Sequence, residues 1–537
     1  MGYRQGDAVN NAIRGNRLLR HEPEKRATWG DQGDRTFRNP IIWADYNNPF
    51  LLQHGDDFYM VAASHHFMGI PVLHSKALVN WQLLTRIYSR LDWDDKYDHP
   101  GQAYQQGSWA PVLVYHDGRF FMYCINSTDG VFMTSAASPV GPWEPVTLIQ
   151  RAFHWEDPYP FWDDDGKAYF FHSGFAKSPI VLHRMSLDGK RLLDEGTVLQ
   201  ETLPNAHNPF VIKRNGYYYL FATGSRRSMS GVGGVEDVYR STTIYGPYEH
   251  RVVLDAGGVG PSPGGGGFVE LPSGEWWFLH HVGIARHGRL PFLEPAGWEE
   301  DWPRIGIGSI EGGPGWLVWA HAKPNTGQRQ PITIPASSDE FSSPELGPQW
   351  RWNHNPDPTC WSLTERPGYL RLRASLPETA GGSDGEHHPV PFAADSIIFA
   401  RNTLVQLMMG KHCIGSTVMD VSNMANGQRA GLCLFNKDYA WIGVVQENGR
   451  RAVKAYRNNA VVEGPQLTQD TIWLQAICDD GSGSLAYSLD GQTFVPLGQP
   501  LDFQIQWFEA QKFALFTYNI DDKRGAVDFD WFHLEHD

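Results

Sequence analysis

The chain has 537 residues, too many for one ordinary hydrophobic core, so two or more domains are expected, with large all-β units allowed. Its formal net charge of −15, from 60 acidic and 45 basic residues, argues against nucleic-acid and anionic-membrane partners, which need a positive surface. Aromatic residues make up 13% and include 21 Trp, a content that suits large sheet cores or sugar-stacking platforms equally well.

The first thirty residues carry charges throughout and contain no apolar h-region, and no run of about 18 apolar residues occurs anywhere. The expected location is cytoplasmic for the chain as it stands, or periplasmic or secreted if a signal peptide has been removed. The five cysteines (Cys124, Cys360, Cys413, Cys433, Cys478) are widely spaced without a CxxC pair, so they read as buried thiols, and no metal or cofactor is expected.

From about residue 31 a repeat sets in. A turn dipeptide followed by an aromatic-rich run occurs at His54-Gly55-Asp56-Asp57-Phe58-Tyr59, Asp117-Gly118-Arg119-Phe120-Phe121, Asp165-Gly166-Lys167-Ala168-Tyr169, Asn215-Gly216-Tyr217-Tyr218-Tyr219 and Ser273-Gly274-Glu275-Trp276-Trp277. Asn-Gly and Asp-Gly favour the left-handed backbone of tight hairpins, and the flanking aromatic and β-branched residues suit a pleated surface. The turns recur roughly every 50 to 60 residues, enough for one four-stranded sheet each. A second marker closes several units: Asn80-Trp81, Gly141-Pro142-Trp143-Glu144 and Gly246-Pro247-Tyr248-Glu249. The spacing predicts an all-β chain whose residues 31–325 form a five-bladed β-propeller after an N-terminal extension of residues 1–30.

Residues 326–337 read as a linker. From 338 to 537 short alternating strands such as Tyr369-Leu370-Arg371-Leu372-Arg373, separated by turns such as Asp480-Gly481 and Asp490-Gly491, predict a β-sandwich. The last strand, around Val527–Phe532, is expected to return beside the first. Nothing in this half resembles a catalytic motif.

In a propeller the innermost strand of each blade runs along the central channel, so residues a fixed distance before each turn should converge on the axis. Those positions hold Asp45-Tyr46-Asn47-Asn48-Pro49, Ser108-Trp109-Ala110-Pro111, Glu156-Asp157-Pro158-Tyr159, His207-Asn208-Pro209-Phe210 and Gly264-Gly265-Gly266-Gly267. A polar ring at a channel mouth is not needed for core packing and marks a candidate binding site.

Asn39-Pro-Ile-Ile-Trp-Ala-Asp45, Gly69-Ile-Pro-Val-Leu-His-Ser-Lys-Ala-Leu-Val-Asn-Trp81, Ser108-Trp-Ala-Pro111, Asp157-Pro-Tyr-Pro-Phe-Trp-Asp-Asp-Asp-Gly166 and Gly288-Arg-Leu-Pro-Phe-Leu-Glu-Pro295 resemble glycoside hydrolase family 43, which holds β-xylosidases, α-L-arabinofuranosidases and related exo-enzymes. Trp350-Arg-Trp-Asn-His-Asn-Pro356 and Ser362-Leu-Thr-Glu-Arg-Pro-Gly-Tyr369 are similar to the sandwich appended to its β-xylosidase-like members. The resemblance implies an inverting glycosidase with a pocket for one terminal sugar. It also implies that Asp157 is the acidic group that orients and tunes the acid. The family's base position holds Asn48, its acid position holds His207, and a His that usually introduces the last inner strand appears as Gly265.

Either the chemistry was rebuilt or it was lost. In the rebuilt version His207, whose ordinary pKa near 6.5 a neighbouring carboxylate raises, serves as general acid held by Asp157. Glycoside hydrolase family 117, a related five-bladed family, resembles this in using a His as acid. Asp45, three residues from Asn48, is the nearest candidate base, with Glu236 a weaker one. Substrate contacts are expected from Asn48, Trp109, His66, His281 and Glu236, with His65 and His280 as further rim candidates. The expected activity is release of a terminal pentose, galactose or anhydrosugar from plant or algal oligosaccharides. A catalytically silent sugar-binding propeller is the alternative, and the sequence leaves the oligomeric state open.

Overall fold

The computed structural model describes residues 28–537 apart from 101, 127, 175–178, 201–205, 229–230, 258, 260–262, 309–312, 378–395 and 507. Asp117 and Gly118 (φ 44° and 79°) and Asn215 and Gly216 (φ 50° and 79°) take the left-handed backbone that their dipeptides favour, and each pair joins two antiparallel strands. Such hairpins build five consecutive antiparallel units of four strands. Blade 1 comprises Phe50–His54, Asp57–Val61, Gly69–Ser75 and Gln82–Tyr88. Blade 2 comprises Trp109–His116, Arg119–Asn126, Gly130–Ala136 and Thr147–Arg151. Blade 3 comprises Trp155–Trp162, Ala168–Gly174, Ile180–Met185 and Thr197–Gln200. Blade 4 comprises His207–Arg214, Tyr217–Ser228, Gly231–Ser241 and Glu249–Asp255. Blade 5 comprises Gly264–Glu270, Trp276–Ile284, Gly288–Glu299 and Trp302–Ile305.

The ring closes where blade 5 meets blade 1. Gly266 pairs with Phe50 in parallel, and its N–H donates to the Pro49 carbonyl at 2.8 Å. A Cβ on Gly265 (φ 66°) would stand 2.4 Å from that same carbonyl oxygen, so the seam admits only glycine at this position. On the outside, Thr36–Arg38 pairs with Ala320–Ala322, stitching the entry of the propeller to its exit. Buried Asn39 reinforces the stitch: its amide donates to the Leu293 and Val318 carbonyls at 2.9 and 2.8 Å and accepts from the Leu293 N–H at 2.9 Å.

The second half folds as two facing sheets. One runs in the order Arg351–Trp352, Leu404–Leu407, Lys512–Asn519, Gln428–Phe435, Ala440–Glu447, Arg450–Arg457, Ala460–Leu467. In the other, the final strand Ala526–His536 lies between Leu370–Arg373 and His412–Asp420, while Phe532 bridges Asp339 at the start of the domain. Strand Thr471–Asp479 illustrates why: Ile472, Leu474, Ala476 and Cys478 alternate inward with more exposed residues between them. One apolar cluster runs through both halves, joining Phe37, Ile41, Trp81 and Trp277 to Trp350, Phe529 and Phe532. The 326–337 segment is strapped to blade 1, with Thr333 donating to the Asn80 amide oxygen at 3.0 Å and accepting from the Trp81 N–H at 3.2 Å. Four cysteines are buried thiols as expected; Cys360 is only half-buried.

Candidate active site

Each inner strand begins with the same backbone device. Asn48, Ala110, Asp157, Asn208 and Gly265 all have positive φ (45°, 42°, 55°, 53° and 66°). In blades 2 to 5 the ladder shifts register across them, between Trp109 and Val112, Glu156 and Tyr159, His207 and Phe210, and Gly264 and Gly267. A left-handed residue in a bulge re-aims the side chains beside it. The proline after four of the five has no N–H to give the ladder and disfavours a right-handed turn at the residue before it. These positions, with Pro49, Pro111, Pro158, Pro209, Phe50 and Phe210, line one cavity on the axis.

Asp157 is the most heavily committed group there. One carboxylate oxygen accepts from the Ser173 hydroxyl at 2.7 Å and the Asn208 N–H at 2.9 Å; the other accepts from the Asn208 amide at 2.9 Å. Burial alone would raise its pKa, but these donors and His207 outweigh burial and lower it. His207 Nδ1 lies 3.4 Å from Asp157 and 3.5 Å from Glu156. Burial would lower the imidazolium pKa, yet the two carboxylates prevail and raise it to about 10. Glu156 moves the opposite way to Asp157: burial, together with the Asp157 charge, raises its pKa against the pull of His207. Each of the three offers a ligand atom within 4.8 Å of the others, a donor set of the type that cations use, although Asp157 already accepts three hydrogen bonds.

Across the ring, Arg289 donates from one Nη to the side-chain oxygens of Asn47 and Asn48, at 3.1 and 3.2 Å. The wall here comes from the sandwich. Phe508 stacks on His65 with centroids 6.2 Å apart, meets Trp109 edge-on at 5.8 Å, and lies 5.2 Å below the Arg289 guanidinium. Its carbonyl accepts from the Asn47 amide at 2.6 Å. The next residue, buried Glu509, roots this loop: Arg351 and Lys512 approach it at 3.0 and 2.8 Å, and His65 and His66 at 3.5 and 3.6 Å.

Asn48 and Asp157 share the cavity lining, His207 contacts Asp157 from beside it, and Trp109 meets Phe508 but is not among the lining residues. Asp45 does not share the cavity lining. Its two oxygens accept the N–H groups of Arg289 at 2.8 Å and Ala510 at 2.6 Å, and burial raises its pKa. A carboxylate with both oxygens held by backbone donors is a strut between the two halves, which corrects its expected role as base. Glu236 is fully buried one strand beyond Thr223, whose hydroxyl donates to it at 3.3 Å, so it is not at the rim. His66 sits behind the Phe508 loop against Glu509, and burial holds its pKa well below 6.5. His281 packs on Gly264 and is likewise held neutral by burial. His280 is buried against Glu294 at 3.4 Å. Three contributors were given no role from sequence. Glu156 is adjacent to Asp157, Arg289 lies inside a quoted motif, and only Phe508 left no local signal.

The chain is similar to known proteins along most of its length. Residues 37–303 match Glycosyl hydrolases family 43, and residues 338–535 match the beta xylosidase C-terminal concanavalin A-like domain. A protein of Xylanibacter ruminicola is 35% identical over 509 residues, covering 92% of this chain and 89% of its own. The beta-xylosidase of Formosa agariphila is 34% identical over 548 residues, covering 95% and 92%. Among solved structures, a bifunctional GH43-CE protein of Bacteroides eggerthii superposes with a TM-score of 0.79 at 30% identity, covering 93% of this chain and 63% of that one. The xylan beta-1,4-xylosidase of Bacillus halodurans, at 22% identity, shares the fold with a TM-score of 0.78 over 93% and 99%. With a five-bladed propeller and a sandwich that match the two family models, and relatives aligned along nearly its whole length, the chain belongs to glycosyl hydrolases family 43, a family of inverting glycoside hydrolases.

Proposed function

We propose that this chain releases one terminal sugar from plant or algal oligosaccharides, with His207 as proton donor and no carboxylate in the base position. The observation that carries this reading is the contact of His207 with Asp157 and Glu156 at the channel mouth. Two carboxylates keep the imidazolium protonated at neutral pH, ready to donate to a leaving oxygen. Phe508 meets Trp109 edge-on and lies under Arg289, which holds Asn48 of the cavity lining, and an aromatic wall so close to the cavity favours a chain end over an internal sugar.

The water is the harder half of the reaction. An inverting pair of groups stands roughly 6.5 to 9.5 Å apart to admit it. Glu156 is only 3.5 Å from His207 and is better placed to tune that donor than to act opposite it. Asn48 can orient a water or bind a hydroxyl, but its amide accepts no proton at neutral pH. This same residue is what favours the second reading, a sugar-binding propeller without turnover. Incubation with xylo-, arabino-, galacto- and agaro-oligosaccharides, with reducing-end sugar detection and with or without azide or formate, separates the two. Release of monosaccharide, alone or rescued by the small nucleophile, supports the glycosidase. Binding without release under either condition leaves the silent reading.

A further inference from the structure

Among the described residues Arg289 has no carboxylate partner. Its Nη contacts are two amide oxygens, those of Asn47 and Asn48, and no Asp or Glu among the described residues forms an ion pair with it. Asp45, Glu156 and Asp157 act on it only through space, and each is engaged elsewhere: Asp45 by two backbone N–H groups, Asp157 by Ser173 and Asn208, Glu156 by His207. Cations in the neighbouring buried cluster differ. Arg351 and Lys512 both meet Glu509, within 3.0 Å. A guanidinium part-way out of water without a counter-ion is costly, and its planar fork matches an anion with two oxygens. Asn48 stands where the family resemblance places the carboxylate of the base, so the local negative charge beside Arg289 is reduced by one. Phe508 under the guanidinium adds a flat face that holds the fork in place.

Resting on the reading of this pocket as a sugar site, we propose that its sugar carries an anionic substituent, a carboxylate or a sulfate half-ester, which completes the ion pair with Arg289. The chain's overall charge of −15 does not oppose this. Screening beyond about 8 Å at physiological salt leaves the nearby guanidinium dominant.

The test is titration of the intact protein, by calorimetry or Trp fluorescence, with four probes: xylose, glucuronate (the xylose ring bearing a carboxylate on C5), glucose and glucose 6-sulfate. A charged partner at this position should tighten binding by about 10-fold or more over the matching neutral sugar, and added salt should erode the gain. Preference for glucuronate over xylose identifies a carboxylate; preference for glucose 6-sulfate over glucose identifies a sulfate ester. Arg289→Gln should abolish the preference. Asn48→Asp, which gives Arg289 an internal partner, should shift it towards the neutral sugars, and this variant decides the matter if the first does not fold. Neutral sugars binding as tightly as anionic ones, or an anionic preference that survives Asn48→Asp, overturns the inference while leaving the sugar pocket intact. If no probe binds, the sugar-site reading fails and this inference falls with it.

Discussion

Replacing His207 by Ala removes the proton donor proposed above. A positioned acid contributes about 10²-fold or more, so turnover of unactivated oligosaccharides should fall by at least roughly that factor. A nitrophenyl glycoside, whose leaving group needs no proton, should lose less than about 10-fold. The pH dependence follows from the same contacts. With its pKa raised to about 10, His207 stays protonated through neutral pH, and kcat/KM on oligosaccharides should decline on the alkaline side through about 10 rather than near 6.5. For stability, the folded pKa lies above the unfolded one, so the contact stabilises fully below about pH 6.5 and its contribution is lost as pH rises to about 10. A move of that size corresponds to roughly 5 kcal/mol. The 3.4 and 3.5 Å spacings and the 31% exposure of the imidazole reduce this to roughly 1–2 kcal/mol. Thermal melts of both proteins at pH 6 and above pH 10 measure the gap, which should close at the higher pH. Equal loss of turnover on both substrate types, or an alkaline limb near 6.5, would refute the proton-donor role.

Two further substitutions separate architecture from binding. Asp45→Ala orphans the buried N–H groups of Arg289 and Ala510, which should cost about 2–5 kcal/mol in denaturant unfolding; a variant of unchanged stability would return Asp45 to the list of candidate bases. Phe508→Ala removes a ring that is 37% exposed and faces Trp109 and His65, so the melting temperature should barely move. Sugar binding should nonetheless weaken by about 10-fold, the roughly 1.4 kcal/mol expected from losing part of an apolar face against a bound sugar.

What the sequence carries well is whatever depends on neighbours along the chain. Asn215-Gly216 and Asp117-Gly118 set their hairpins by backbone preference alone, so the blades are legible one at a time. The ring is legible for a related reason: a left-handed residue followed by proline opens four of the five inner strands, and counting from the turns finds it. Counting fails where chain distance and spatial distance part. Asp45 is three residues from Asn48, yet the left-handed turn at Asn48 separates them, and Asp45 points to Ala510, 465 residues away. Phe508 reaches the pocket by the same long route, from a half with no catalytic motif of its own. Gly265 reads in sequence as the loss of a histidine, but with 2.4 Å between its would-be Cβ and the Pro49 oxygen, closing this ring leaves no room for a side chain. The carboxylates therefore have to be sorted by what already occupies their oxygens, not by their distance along the chain. Asp45 and Asp157 are filled by fixed donors, whereas the protonation of Glu156, set by His207 against the charge of Asp157, is open to change by a bound sugar.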